Sequence, residues 1–240
     1  MHRCFVDFQI YENKEILVSG DEGKHMSRVM RFKPGDSVEV CDGSGYTYPG
    51  TITVVTKNDV TVKVGQAVKD DSEPATKVML FAGLSKGAKM ELVIQKSVEL
   101  GITAVVPVET EFAVAKEGKP ERWQRIAFEA AKQCKRPTVP KIYDAVSFDE
   151  ALKMLQDCDA GICAYEKERT VGITEVLNTV QPGGTCGIFV GPEGGFSEKE
   201  IEKLSDGGIS VVSLGKRILR TETAAIVMLT VVMHCFGELD

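Results

Sequence analysis

The segment that most constrains the fold runs from a short apolar stretch through a glycine-rich turn into the start of a helix. Thr185–Val190 is apolar enough for a buried strand, and Gly191-Pro192-Glu193-Gly194-Gly195 follows directly. Ser197-Glu198-Lys199-Glu200 then has the spacing of a capping box, which marks the first turn of a helix. The segment therefore predicts a buried strand, a tight loop and a helix, and its glycines let a ligand approach the backbone closely.

A second segment repeats this plan further along the chain. Val211–Leu214 is strand-like, Gly215–Arg220 predicts a loop, and Thr221–Ala224 opens a helix. Two such loops at the ends of strands predict one ligand crevice at the edge of an α/β sheet. Neither loop has the spacing of a Walker A motif or of the dinucleotide fingerprint. Because a glycine-rich turn between a strand and a helix can also be only a turn, the residues alone leave the ligand open.

Composition and cysteine usage exclude several classes of protein. The 240 residues are 43% hydrophobic and 27% charged, which is ordinary for a globular chain of one large or two small domains. The seven cysteines are odd in number and form no Cys-x-x-Cys pair, which favours reduced thiols in a cytoplasm over disulfides or a zinc site. No signal peptide is evident, and the longest apolar run, Ala224–Met233, is too short to span a bilayer. We therefore expect no membrane partner.

The charge of the chain bears on nucleic-acid binding. A net charge of −6 counts against a general nucleic-acid binder, so RNA binding would depend on local basic patches. Three windows qualify, namely Lys24–Lys33, Lys132–Lys141 and Lys216–Arg220. Each could equally be a solvated face, and only the third adjoins the glycine-rich loops.

The hydrophobic pattern divides the chain in two. Residues 1–70 read mostly as short strands, Ser37–Cys41 and Val60–Val64 among them, with one helix near Asp21–Arg31, which predicts a small β-barrel with a basic helix on its rim. Lys69–Pro74 is polar and predicts a linker. Residues 75–240 alternate helices with strands, Ala160–Ala164 among them, which predicts a parallel sheet covered on both faces. The last helix, about Glu222–Phe236, is apolar nearly all round and therefore lies centrally or meets a second subunit; we favour a homodimer.

Gly191–Phe196 and Leu214–Ala224 together closely resemble the paired motifs of the ribosomal small subunit methyltransferase E family. The resemblance covers nearly the whole chain and extends to Lys86–Glu91, Gln95-Lys96, Glu99–Gly101, Trp123–Ala127, Glu129–Gln133, Arg136, Val139-Pro140, Arg28-Val29, Arg31 and Gly35-Asp36. Members of this family are SPOUT-class methyltransferases that transfer a methyl group from S-adenosylmethionine to N3 of a uridine in 16S ribosomal RNA. One departure is Phe112-Ala113, which stands where the family often carries Arg-Ser.

The resemblance implies an architecture and a set of partners. The expected fold is α/β: residues 75–240 form a SPOUT-type α/β knot, a deep trefoil with a parallel sheet, preceded in residues 1–70 by a PUA-like β-barrel that binds RNA. The expected partners are 16S rRNA within the 30S subunit and a second copy of the chain, and the expected cofactor is S-adenosylmethionine. Because this methyl donor is already activated, no metal is expected. The cofactor-binding residues that the resemblance implies are Val190, Gly191, Glu193, Gly194, Gly195, Leu214, Gly215, Ile218, Leu219, Arg220, Thr223 and Ala224.

The reaction then suggests roles for individual side chains. Uridine N3 carries a proton at neutral pH, and a cation beside O2 or O4 would lower its pKa. Arg220 is our candidate for that cation, with a salt bridge to Glu222 or Glu193 as its alternative role. Glu222 is a candidate base, although a carboxylate in the first turn of a helix is more often a partner of the helix dipole. The candidate phosphate contacts are Lys24, Arg28, Arg31 and Arg136.

Three other functions stay open at this point. A related knotted protein could methylate the ribose 2′-oxygen instead of the base. The chain could also be a ribosome-assembly factor that keeps the fold without the methyl donor. A general α/β metabolic enzyme is the third, and the paired motifs disfavour it.

Overall fold

The computed structural model describes residues 2–70, 72–115, 118–178, 180–181 and 183–239. The chain divides into two compact units, the first formed by Met1–Glu73 with Ala131–Val139 and the second by Pro74–Ala130 with Pro140–Asp240. The predicted linker Lys69–Pro74 contains Asp71, which lies outside the described residues.

The first unit is built on one mixed sheet. Its strands are β1 (His2–Phe5), β2 (Glu15–Val18), β3 (Ser37–Cys41), β4 (Tyr46–Val55), β5 (Val60–Val64) and β6 (Val68–Lys69). The order is β1-β3-β4-β5-β2, with β6 paired to β4, and only the β1–β3 pairing is parallel. Val60, Val62 and Val64 are all buried, as their alternation with polar residues predicts. Strands β1 to β5 all contribute side chains to one core, so the sheet curves around it in the manner of a small barrel.

The helix predicted near Asp21–Arg31 is shorter and less regular than expected. Helix α1 (Gly20–Lys24) leads into a π-helical turn (His25–Val29) that buries Met26 in the core of the barrel. Arg31 lies beyond the end of this turn with a left-handed backbone, φ 54°. Lys24, Arg28 and Arg31 are therefore all exposed but do not form one helical stripe, because that spacing assumes a continuous α-helix.

The second unit is built on a parallel sheet, as predicted. Its strands are β7 (Lys77–Gly83), β8 (Ala104–Glu109), β9 (Lys141–Ile142), β10 (Val146–Ser147), β11 (Ala160–Ala164), β12 (Thr185–Val190) and β13 (Ser210–Val212). The order is β10-β8-β7-β12-β11-β13, with β9 paired to β8, and every pairing is parallel. Strand β12 thus lies between β7 and β11, and β11 separates it from β13.

Both faces of this sheet are covered. The helices are α2 (Lys89–Glu99), α3 (Pro120–Cys134), α4 (Phe148–Gln156), α5 (Ile173–Leu177), α6 (Glu198–Asp206) and α7 (Thr221–Cys235). Phe81 and Phe189 pack with residues of α4 and α6 in one apolar core. Their strand neighbours Leu80 and Ile188 point to the opposite face and are also fully buried, while α7 contacts β7 and β12 and packs with α2 and α5.

Helix α7 keeps one face only partly covered. Ala225, Met228, Leu229 and Val232 are buried, whereas Ile226, Val227, Thr230 and Val231 are half-buried. Most of the surface of this apolar helix is thus buried within the second unit, and a strip of apolar side chains stays partly exposed. Within the described part of the chain, no helix is both long enough and apolar enough to cross a membrane.

Candidate functional site

The two loops predicted from sequence line one cleft. Strand β11 pairs in parallel with β12 on one side and with β13 on the other, so all three strands end at the same edge of the sheet. The cleft at this edge has an open volume of about 550 Å³. It is lined by Ala164, Tyr165, Glu166, Val190, Gly191, Pro192, Gly195, Phe196, Ser213, Leu214, Gly215, Arg217, Ile218, Leu219, Thr221 and Ala224.

Most of the residues implied by the resemblance to hold a cofactor lie at this cleft. Those that line it are Val190, Gly191, Gly195, Leu214, Gly215, Ile218, Leu219 and Ala224. The other implied residues, Glu193, Gly194, Arg220 and Thr223, are not among its described lining residues. The lining combines loop backbone and apolar side chains with the polar side chains of Tyr165, Glu166, Ser213, Arg217 and Thr221, so a ligand would find both apolar surface and hydrogen-bonding groups.

Glu193 anchors the glycine-rich loop to the start of α2. Its carboxylate accepts hydrogen bonds from Lys89 Nζ at 3.0 Å and from the Lys86 backbone N–H at 3.3 Å. Partial burial raises the pKa of Glu193, but the hydrogen bonds from Lys89 and from backbone N–H groups outweigh it, so the pKa lies below its usual value. The carboxylate is therefore ionised and fixes the loop in place.

Close packing explains several of the glycines around this loop. A Cβ on Gly83 would lie 2.4 Å from Pro192 Cδ and 2.5 Å from Pro192 N, so β7 leaves no room for a side chain behind the loop. A Cβ on Gly194 would lie 2.7 Å from Cβ of Phe112. Gly195 has φ 70°, in the left-handed region that favours glycine. The loop is thus held between neighbours on several sides, and its shape is set by packing.

The capping box predicted at the start of α6 is confirmed. Ser197 Oγ accepts from the Glu200 backbone N–H at 3.3 Å, and Glu200 Oε2 accepts from the Ser197 N–H at 2.9 Å. Because the box closes the glycine-rich loop directly, it fixes the direction in which the chain leaves the cleft.

Sequence reasoning missed the contribution of β11. Ala164, Tyr165 and Glu166 follow this strand and line the cleft between the two loops. The strand itself was predicted, but its place between β12 and β13 was not, and no local motif marks these residues. Glu166 brings a carboxylate to the cleft, with Oε1 3.1 Å from the position that a Cβ on Gly195 would take.

Arg220 and Glu222 lie where α7 begins. Arg220 is the exposed N-cap residue, and its neighbours Leu219 and Thr221 both line the cleft. Among the described residues, no carboxylate lies within ion-pair distance of Arg220, and Glu193 pairs with Lys89 instead. The alternative salt bridge of Arg220 is therefore absent from the described structure. Glu222 Oε2 is buried and has no hydrogen-bond partner among those residues.

The candidate phosphate contacts fall into two groups. Lys24, Arg28 and Arg31 are exposed, and Arg28 donates to the Lys57 carbonyl at 3.1 Å and to Asn58 Oδ1 at 2.5 Å. Arg136, in contrast, is only 6% exposed, and its guanidinium donates to both carboxylate oxygens of Glu73 at 3.1 and 2.7 Å. The structure does not support Arg136 as a phosphate contact, because its guanidinium group is buried against the carboxylate of Glu73.

Comparison with known proteins identifies the family. Residues 72–233 match a model described as an RNA methyltransferase domain, and residues 18–65 match one described as an RNA methyltransferase PUA domain. A Bacillus subtilis protein named ribosomal RNA small subunit methyltransferase E is 34% identical over 98% of this chain and 96% of its own length. The chain belongs to the ribosomal RNA small subunit methyltransferase E family. The resemblance drawn from the paired loops is thereby confirmed.

Solved structures of relatives confirm the fold. A ribosomal RNA small subunit methyltransferase E from Neisseria gonorrhoeae, bound to S-adenosylmethionine, is 30% identical with a TM-score of 0.84 and covers 98% of this chain and 97% of its own. A methyltransferase from Legionella pneumophila in complex with the same cofactor is 29% identical with a TM-score of 0.83, over 97% and 96% of the two chains. The PUA-like barrel followed by a SPOUT-type α/β domain is the architecture of this family member.

Proposed function

We propose that this chain transfers a methyl group from S-adenosylmethionine to N3 of a uridine in 16S rRNA. The observation that carries the proposal is the cleft shared by the loops after β12 and β13, since these loops carry the motifs that resemble the family. The relative from Neisseria gonorrhoeae, which has the same fold, was solved with S-adenosylmethionine bound.

The residues present fit this methyl donor. The cleft lies where β11, β12 and β13 end, and the carboxyl ends of parallel strands are where α/β sheets bind their ligands. Ile218 lines the cleft and is 76% exposed, so its apolar side chain is free to pack on the adenine ring of the cofactor. Glu166 adds a carboxylate that attracts a cationic ligand. Bound here, S-adenosylmethionine would supply a methyl group already activated by a sulfonium.

The chain's own residues would then prepare the acceptor. Arg220 lies beside the cleft without a described carboxylate partner, so its charge is available to favour the N3 anion. Glu222 carries a buried carboxylate oxygen that lacks a described hydrogen-bond partner, and we assign it as the proton acceptor. Since Arg220 is the N-cap residue of α7 and Glu222 lies in its first turn, one helix start would hold the cation and the base together.

We further propose how the chain meets its partners. Residues 1–70 form the RNA-binding domain, in which Lys24, Arg28 and Arg31 contact phosphates, and residues 75–240 form the catalytic domain. The half-buried apolar strip of α7, from Ile226 to Val231, supports a homodimer, because a second copy would complete its burial. The substrate is the RNA within the 30S subunit, and the compartment is the cytoplasm, where the seven free cysteines stay reduced.

The test is methylation of 30S subunits from a strain that lacks this protein. The purified chain and S-adenosylmethionine are added, the RNA is digested to nucleosides, and the product is identified by mass. We expect N3-methyluridine; a 2′-O-methyl nucleoside would assign ribose methylation instead. Calorimetry with S-adenosylmethionine is run alongside, and folded protein that binds none would favour a non-catalytic assembly factor.

A further inference from the structure

An exposed aromatic side chain packs against the glycine-rich loop. Phe112, in the segment after β8, contacts Gly194, where a Cβ would lie only 2.7 Å from the Cβ of Phe112. Phe112 is nevertheless 45% exposed, and Val114 near it in sequence is 43% exposed. Gly195, the next residue of the loop, lines the cofactor cleft. Phe112 therefore contacts the loop one residue away from the lining of the proposed methyl-donor site.

A cavity with cationic side chains lies beside the starts of α2 and α3. It has an open volume of about 760 Å³, and its lining includes Lys86, Lys119, Arg122 and Glu91. Arg122 pairs with Glu91 at 2.8 Å, whereas neither lysine has a carboxylate within ion-pair distance among the described residues. Two positive charges of this cavity are thus left without a described counter-charge.

Glu193 links this cavity to the glycine-rich loop. The Lys86 backbone N–H donates to Glu193, which belongs to that loop. Phe112 contacts the same loop at Gly194, and the loop residues Gly191 and Gly195 line the cofactor cleft. An RNA strand that leaves the cofactor cleft across this loop would meet these side chains.

The proposed acceptor atom explains why such a surface is needed. Uridine N3–H is the hydrogen-bond donor of the Watson–Crick edge, so the target must be unpaired when it reacts. Enzymes that act on a base take it out of the stack or use single-stranded substrate. Proteins hold such unstacked strands with aromatic side chains for the bases and cations for the phosphates.

We propose that Phe112, Lys86 and Lys119 form a subsite for the unpaired strand of 16S rRNA that carries the target uridine. Phe112 stacks on a base of this strand, and Lys86 and Lys119 bind its flanking phosphates. Phe112 and the lysines are specificity and positioning residues, and they bind RNA and not the methyl donor. This inference rests on the proposed function for the identity of the RNA.

The test measures binding of unmethylated 30S subunits in the presence of S-adenosylhomocysteine, so that no turnover occurs. Phe112→Leu keeps an apolar side chain against Gly194 but removes stacking, and it should raise the Kd for 30S about 5- to 150-fold. Phe112→Tyr keeps a ring and should bind within about twofold of wild type. Both variants should bind S-adenosylmethionine as wild type does, which also reports that they are folded.

The lysines are tested by salt dependence. In Lys86→Gln/Lys119→Gln the slope of log K against log salt should fall by roughly 1.4, since each phosphate contact to a single strand contributes about 0.7. Lys153→Gln, an exposed site on α4, is the matched control and should leave the slope unchanged. Equal binding by Phe112→Leu and wild type, or an unchanged slope in the double variant, would overturn the subsite. The proposed function is tested separately, by identifying the nucleoside that the wild-type protein methylates.

Discussion

Gly83→Ala is the substitution whose effect on the cofactor cleft follows most directly from the structure. A methyl group at this position would lie 2.4 Å from Pro192 Cδ, 2.5 Å from Pro192 N and 3.0 Å from Gly191 C. Non-bonded carbon atoms are most stable at about 3.5–4.0 Å, so relief of these contacts needs a shift of about 1 Å. Because the atoms in the way belong to backbone and a proline ring, the glycine-rich loop itself must move.

Two results are expected from that shift. Overpacking of this kind costs about 1–3 kcal/mol, which lowers Tm by roughly 2–12 °C in a chain of this size. A displacement of about 1 Å in a positioning element can reduce catalysis about 100-fold. We therefore expect a weaker affinity for S-adenosylmethionine by calorimetry and a lower kcat/KM on 30S subunits.

Gly172→Ala is the matched control for Gly83→Ala. A Cβ at Gly172 would have no atom within 4 Å, and its φ of −85° suits alanine. Gly172 is the N-cap residue of α5, where alanine is less favourable than glycine, but alanine also restricts the unfolded chain. The two effects oppose each other, so Gly172→Ala should change the free energy of unfolding by less than about 1 kcal/mol and leave cofactor affinity unchanged. If Gly83→Ala kept the Tm and the cofactor affinity of wild type, the rigid support of the loop by β7 would be wrong.

Four further substitutions, in three experiments, test other parts of the site and fold. Arg220→Gln should lower kcat about 10²–10³-fold with cofactor affinity unchanged, and activity should partly recover at high pH, where N3 ionises unaided; a flat pH–kcat profile would contradict the role. Ser197→Ala and Ser147→Ala each remove a capping box and should each lower Tm by about 2–4 °C, but only Ser197→Ala should also weaken cofactor binding in calorimetry. Hydrogen bonds from the Thr170 side chain and from backbone N–H groups lower the pKa of Glu168 to about 2, so its stabilisation is complete above pH 4.5 and is lost as the pH falls toward 2. Thr170→Val should therefore reduce the acid-induced drop in Tm between these pH values, and an unchanged pH profile of Tm would refute the assignment.

Local signals predicted much of the second unit. The capping box at Ser197, the strand Ala160–Ala164 and the helix α7 all carry patterns that depend on residues close together in sequence. In the first unit, β-rich composition predicted Ser37–Cys41, and alternation predicted Val60–Val64, both with the bounds observed. In these segments, propensity, periodicity and burial all favour the same structure, so short-range reasoning was sufficient.

The remainder of the site depends on strand order, which no local pattern encodes. Tyr165 and Glu166 line the cleft because β11 lies between β12 and β13. Arg136 is buried because its partner is Glu73, a residue far away in sequence. The π-helical turn that displaces Arg31 from the expected stripe also has no marker in the sequence. Each of these features arises from tertiary contacts, and a chain read alone does not show which distant residues meet.

The proposed cofactor and RNA sites differ in how they would recognise a ligand. The cofactor cleft is lined by loop backbone with apolar and polar side chains, and its shape depends on glycines such as Gly83 and Gly195. The proposed RNA subsite consists of side chains, Phe112 and Lys86 among them, so its recognition can change by substitution without altering the loop. If both proposals hold, substitutions at the two sites must separate kinetically. Those that displace the loop raise the KM for S-adenosylmethionine, whereas those in the RNA subsite raise only the KM for RNA.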